Sequence, residues 1–276
     1  MEGLISMAHV HERYIPGPAF IRCCDSLSGG GYRWSEEFGC EVGMSFDGLN
    51  PPCGFLLPND VSGSIVKWPT VGSARLLVDL MASKEAADYR CIFSLLGKNL
   101  AEFHFLDAPM SLFENRLINK VEETEVYRKA LRYASEQGVF VPAFSFRSGV
   151  RLIHGRFSTA MVLADEKRKV MISADVGRGD PMFDISQILS EIWEFYCSFS
   201  KSENWRRQMG LAARAFVDSY EKQSRCRIDM SGLWEMCRAK SAVHVLILAF
   251  LRKDISIFRS HIASLELGES FFDYLA

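Results

Sequence analysis

The sequence predicts an α+β chain in two unequal parts. A small β-rich part covers residues 1–71, and a larger, mainly helical part covers 72–276. Three observations lead there. The first seventy residues are rich in Gly, Pro and aromatics. They hold only short apolar runs, at 39–46 and 62–68, between turn signals such as Asn50-Pro51-Pro52 and Pro58-Asn59-Asp60. From residue 72 the apolar positions recur at helical spacing. After Asp180-Pro181 four long periodic segments run to the end of the chain.

Taken in order, residues 74–81 read as a first helix. A longer one follows, with Cys91, Leu95, Leu96, Leu100, Phe103 and His104 on one face and Lys98 and Glu102 facing outward. Residues 122–137 form a polar surface helix that stops at Gly138, a C-cap residue type. Then the texture changes. Short β-prone runs at 150–153, 161–163 and 170–173, with a polar turn at 165–169, predict a hairpin inside the segment 149–184. Helices are expected at 185–199, 205–223, 233–251 and 255–267.

Composition removes several classes of function. With 48% hydrophobic and 24% charged residues the 276-residue chain is globular, not disordered. A net charge of −2 gives no global basic field, so no nucleic-acid partner is expected. The longest apolar run, 243–251, is too short to span a bilayer, so no membrane association is expected. The first eleven residues do not read as a secretory signal. None of the eight cysteines forms a C-x-x-C pair, and several sit in apolar runs, as reduced thiols of a cytoplasmic protein would. His9 and His11 match no zinc spacing with Cys23, Cys24, Cys40 or Cys53, so no metal site is expected.

Two segments carry a pattern. One is Leu96-Gly97-Lys98-Asn99-Leu100-Ala101-Glu102-Phe103-His104. The other begins Leu152-Ile153-His154-Gly155-Arg156-Phe157, passes Met161-Val162-Leu163, and ends Gly177-Arg178-Gly179-Asp180-Pro181-Met182-Phe183-Asp184-Ile185. In this order, about fifty residues apart, they resemble the aminoglycoside phosphotransferase and choline kinase-like family, over roughly residues 72–250. The resemblance implies a two-lobed protein-kinase-like fold, here with a small, truncated N-lobe and a helical C-lobe.

Departures from the family pattern fall on its chemistry. In such enzymes a catalytic-loop aspartate accepts the proton of the attacking hydroxyl, and an Asn and a second Asp hold magnesium. The resemblance places the first aspartate at Arg156 and the Asn at Met161. The metal-binding Asp falls on Ile172, or on Ser173 with a one-residue slip. A guanidinium is no base at neutral pH, a thioether is a poor magnesium ligand, and an isoleucine is none. Asp175 is the residue a shortened loop would bring to the metal. By the same resemblance His154, Gly155, Asp180 and Asp184 support the loop, and His104 reads as a packed helix histidine. Gly29-Gly30-Gly31-Tyr32 fits no G-x-G-x-x-G phosphate loop. Lys67 resembles a strand lysine, but its position suits a hinge strand at 62–68 followed by a hinge at Thr70-Val71-Gly72.

The expectation is a degenerate member, a pseudokinase. It would act as a binding or scaffold subunit for a partner protein, a peptide or an anionic ligand. His154, Arg156 and Met161 occupy the altered catalytic loop, and Arg156, Arg178, Asp175 and Lys67 are the ligand-binding candidates. No cofactor is expected. The alternative is an active phosphotransferase with relocated residues, using ATP and magnesium. Its acceptor would be a small-molecule hydroxyl or a peptide Ser/Thr, as in a complex that modifies a peptide natural product.

Overall fold

The computed structural model describes residues 20–26, 32–38, 49–63, 65–69, 75–83, 87–107, 125–143, 151–164, 169–172, 176–198 and 202–276. The β-rich part forms an antiparallel sheet. Strand β1 (Phe20–Ser26) pairs with β2 (Tyr32–Phe38) in the register Phe20↔Phe38 to Ser26↔Tyr32. Strands β4 (Asp60–Ser62) and β5 (Ile65–Lys67) form a hairpin, and β5 also pairs with β2, giving the order β1-β2-β5-β4. The run expected as one strand over 62–68 is therefore divided. Gly63 takes φ +59°, a left-handed conformation open to glycine, and the chain reverses there. The run at 39–46, the glycines at 29–31 and the hinge at 70–72 lie outside the described residues.

A second sheet joins the two parts of the chain. Its order is β3-β9-β8-β6, from β3 (Phe55–Leu56), β9 (Lys169–Met171), β8 (Val162–Ala164) and β6 (Arg75–Leu76). The hairpin expected in the middle of the helical part is β8 with β9, in register Val162↔Val170. β3 adds in parallel to β9, and β6 antiparallel to β8. Helix α1 begins only at Leu77 (Leu77–Ala82), not at residue 74. Arg75 and Leu76 pair with Ala164 and Leu163, so strand pairing overrides the helical periodicity of these two positions. A ribbon of β7 (Arg151–Ile153) and β10 (Gly177–Gly179) completes the strands.

The helices follow their expected spans closely: α2 (Tyr89–His104), α3 (Glu125–Glu136), α4 (Met182–Ser198), α5 (Glu203–Ser224), α6 (Leu233–Arg252) and α7 (Ile255–Glu266). Side-chain caps start α2, α5 and α7. Asp88 accepts from the Cys91 amide, Ser202 from Trp205 and Asp254 from Ser256. Gly138, at φ +65°, follows α3 as expected. The buried face of α2 differs in detail from the sequence reading. Cys91 is exposed and Leu95 half-buried, whereas Ile92 and Phe93 are buried. The reason is the close approach of α5 along Gly97, where a Cβ would lie 2.2 Å from the Phe216 carbonyl oxygen. Ser94 and Ser219 hydroxyls meet at 2.7 Å across the same contact.

One large core unites the second sheet with α1, α2, α4 and α5, and a smaller one lies between α3, α6 and α7. Polar contacts tie α4, α6 and α7 together. The buried Ser241 hydroxyl donates to Glu194 at 2.6 Å, which leaves its oxygen to accept from His261 Nε2 at 2.7 Å. Among the described residues no helix is long and apolar enough to cross a membrane.

Gly97→Ala tests the α2–α5 contact. The added methyl meets backbone rather than a movable side chain, so the substitution is expected to cost about 2 kcal/mol despite alanine's higher helix propensity. Urea unfolding should show a lower midpoint with an unchanged slope.

Candidate functional site

The segment from His154 to Met161 connects β7 to β8, and its backbone is held from one side by α4. Asp184, in the first turn of α4, is fully buried. Its Oδ2 accepts from the His154 amide at 2.6 Å and from His104 Nε2 at 3.0 Å, and its Oδ1 accepts from the Gly155 amide at 2.9 Å. Gly155 stands at φ +76°, a left-handed turn that aims two successive N–H groups at one carboxylate. Burial, with Asp184 nearby as a further cause, raises the Tyr220 hydroxyl above its ordinary range. Tyr220 thus keeps its proton and donates to His104 Nδ1 at 2.8 Å, while His104 passes its Nε2–H to Asp184.

Farther along the loop a second carboxylate does similar work. Glu191 is buried, and its Oε2 accepts both the amide and the hydroxyl of Thr159 at 2.7 Å each. Gln187 donates to Glu191 Oε1 at 3.3 Å. Thr159 opens the short 3-10 turn Thr159–Met161, so Glu191 holds the loop's far end as Asp184 holds its near end. Sequence reasoning missed Glu191. The signal was present: two acidic residues seven apart, with Gln187 between them on the same face of a largely apolar helix.

The His154 ring is locked as well. Its Nε2–H donates to the Met171 carbonyl at 2.8 Å, which leaves Nδ1 to accept from the Arg156 amide at 3.3 Å. Phe55, Phe103 and Phe157 surround it, with ring centres 6.5, 6.3 and 5.7 Å away. His154 thereby joins the loop to β9, and Phe55 brings β3 against both. Ile172, just past β9, is tied in turn. Its amide donates to the Leu56 carbonyl at 2.8 Å, and its own carbonyl accepts the buried Trp68 indole N–H at 3.1 Å.

The structure therefore brings together His154, Gly155, Arg156, Met161, Asp184 and Ile172. Asp180 acts at the edge of this group: its Oδ1 accepts from the Met182 amide at 2.9 Å and starts α4. Other expected residues do not converge. Lys67 lies on the first sheet, paired with Asp60 across the β4–β5 hairpin at 3.1 Å. Arg178 is opposite Leu152, and Arg151 is opposite Gly179. Since neighbouring positions on a strand face opposite ways, the two arginines lie on opposite faces of the ribbon. Arg151 instead stacks on Phe105, 4.3 Å from its ring centre. Asp175 and Ser173 lie outside the described residues.

At positions 156, 161 and 172 the side chains do not fit a nucleotide-bound divalent cation. Arg156 is only 7% exposed, Met161 1% and Ile172 0%. They are a cation, a thioether and a hydrocarbon, none of which is a hard oxygen donor. Burial adds to the mismatch, because a loop packed this closely presents little of these side chains to a ligand.

No protein-family model matches the chain, and no curated protein matches it in sequence. Among solved structures it is similar to a glucosamine kinase, with a TM-score of 0.50 and 14% identity over 98% of this chain and 81% of that one. It is also similar to the gentamicin complex of APH(2")-IIa, at TM-score 0.48 and 13% identity over 98% and 99% of the two chains. For the macrolide 2'-phosphotransferase MphH from Brachybacterium faecium the TM-score is 0.47, with 15% identity over 91% of this chain and 90% of that one. At these identities the likeness concerns the fold alone. The chain has an α+β fold like that of the glucosamine kinase.

Tyr220 supplies a test of the brace. A tyrosine raised by burial keeps its proton in the folded chain above about pH 10, where the unfolded chain loses it. Its contribution is intact below that pH, and stability then falls by up to about 1.4 kcal/mol per pH unit as pH rises. Tyr220→Phe should cost about 1–2 kcal/mol at neutral pH, because His104 Nδ1 loses its donor. Above pH 10 the variant should lose stability less steeply than the parent chain, as urea unfolding at pH 9, 10 and 11 would show.

Proposed function

We propose that this chain is a pseudokinase: a phosphotransferase-type fold that works as a binding or scaffold subunit for a partner protein or peptide. The observation that carries the reading is the burial of Arg156 where the family pattern has its proton acceptor. Met161 and Ile172, at the positions matched to metal ligands, are equally enclosed. One missing group leaves room for compensation. Three, at positions that the resemblance assigns to one reaction centre, would remove proton acceptance and charge neutralisation together.

The β-rich part supports the same reading. Kinases place on a strand a lysine that contacts the nucleotide phosphates. Neither long strand of this sheet, FIRCCDS or YRWSEEF, contains a lysine. Lys67 on β5 is matched by Asp60 instead. Meanwhile the parts that shape the fold remain in place: the left-handed Gly155, the Asp184 brace and the α2–α5 contact. A cytoplasmic setting suits the five free cysteines among the described residues.

The test is nucleotide binding by the whole chain. A ligand at a hundred times its Kd stabilises the folded state by about 2.7 kcal/mol, a shift of several degrees in Tm. ATP with magnesium, raised to millimolar concentration, is expected to leave Tm unchanged. A reproducible magnesium-dependent rise would overturn the proposal in favour of a phosphotransferase with relocated residues.

A further inference from the structure

We propose that the pole of the helical part where α3, α6 and α7 meet is a docking surface for an acidic, apolar segment of a partner protein. The surface does not involve the catalytic-loop region, so the inference stands whether or not that loop transfers phosphate.

Contacts define the pole. α3 and α6 end side by side, with the Tyr133 and Phe250 rings 5.9 Å apart. Arg259, on α7, donates to the Gln137 carbonyl just past α3 at 2.8 Å. The chain then leaves α3 through Val139, Phe140 and Val141. Val139 and Val141 pack on the smaller core, whereas Phe140 between them is 82% exposed. This alternation turns the ring outward, so its exposure follows from the backbone path. Leu251, in the last turn of α6, is 49% exposed.

Charge surrounds these apolar groups with one predominant sign. Arg132, Arg252, Lys253 and Arg259 are all exposed at this pole. Among the described residues Arg132, Arg252 and Lys253 have no carboxylate within ion-pair distance, and Arg259 reaches only a backbone carbonyl. Some cations elsewhere on the chain are matched, Lys67 by Asp60, Lys98 by Glu102, Lys129 by Glu125, Arg214 by Asp218 and Arg238 by Glu266, so what sets the pole apart is that its unmatched cations lie beside exposed apolar side chains. The pole's own carboxylates are Glu136, which is exposed, and Asp254. Asp254 is engaged as the α7 cap, where hydrogen bonds from Ser256 lower its pKa. Four cations thus face two carboxylates on a chain whose net charge is −2.

The C-terminal dipole of α6 accounts for cations at 252 and 253, but not for an outward phenylalanine at the same pole. Large apolar anchors ringed by arginine are a composition typical of protein interfaces. A second copy of this chain fits poorly, since a two-fold contact through this pole would bring cations against cations. Glutamates flanking Leu or Phe on an amphipathic helix would complement both the charge and the apolar anchors.

The probe is a fluorescent synthetic helix with glutamates around a Leu/Phe stripe, compared with its Lys-for-Glu analogue by anisotropy on the full chain. The acidic peptide should bind and the lysine analogue should not. Phe140→Ser with Leu251→Ser should weaken binding by about tenfold, as should Arg252→Glu with Lys253→Glu. All four positions are exposed, so these variants keep the fold, which circular dichroism checks. Hydrogen exchange should slow at 137–141 and 252–255 when peptide is added. Absence of binding, equal binding of both peptides, or full affinity in the variants would overturn the inference. Two other outcomes would overturn it in a different direction. Stronger binding to phosphatidylserine vesicles than to the peptide would assign the pole to lipid. A concentration-dependent dimer lost in Phe140→Ser would assign it to self-association.

Discussion

A single buried carboxylate organises this molecule. Asp184 lies in the apolar interior, where an unpaired ionised carboxylate costs many kcal/mol. It is tolerable only because three N–H groups, from His154, Gly155 and His104, converge on its two oxygens. The dependence runs both ways. Gly155 must adopt a left-handed turn to deliver its amide, His104 must be placed by α2, and Tyr220 on α5 must satisfy the other side of that imidazole. One carboxyl group therefore ties the loop, α2, α4 and α5 into a unit, and Glu191 repeats the device at the far end of the loop.

These bracing bonds do not depend on which side chains stand at 156, 161 and 172. The bracing atoms are main-chain amides of the loop, which any side chain leaves available. Arg156 presents its amide to His154 Nδ1 regardless of what its side chain does. Ile172 likewise contributes its amide and carbonyl to Leu56 and Trp68. Met161 fills a buried position as a flexible hydrophobe. The identity of the side chains at 156, 161 and 172 is thus decoupled from the hydrogen bonds that hold the loop, and bears on stability only through their packing.

How much was legible in the sequence follows from the range of the interactions involved. The four C-terminal helices and the β8–β9 hairpin were readable because their signals are local: period, caps and a polar turn. His154, Gly155 and Asp184 were readable through motif order. β10 was not, because Gly-Arg-Gly has no strand propensity and becomes a strand only against β7. β6 was mistaken for helix because its partner, β8, lies almost ninety residues away. The same holds for β3, whose two residues gain strand character from β9. The opposition of Arg151 and Arg178 depends on ribbon register, which no spacing in the chain displays.

The packing of β3 bears on function as well as on fold. In a kinase-like fold the small part must be able to admit a nucleotide between itself and the hairpin. Here Leu56 and Trp68, from the β-rich part, bond directly to Ile172, and Phe55 stacks on Phe103 with ring centres 4.7 Å apart. Separating the two parts at this point would break a buried indole hydrogen bond and expose Phe55 and Trp68, a cost of several kcal/mol. No magnesium-ligating side chain at 156, 161 or 172 would return that energy on opening. A closed junction of this kind holds β3, β9 and the catalytic-loop segment as one rigid unit.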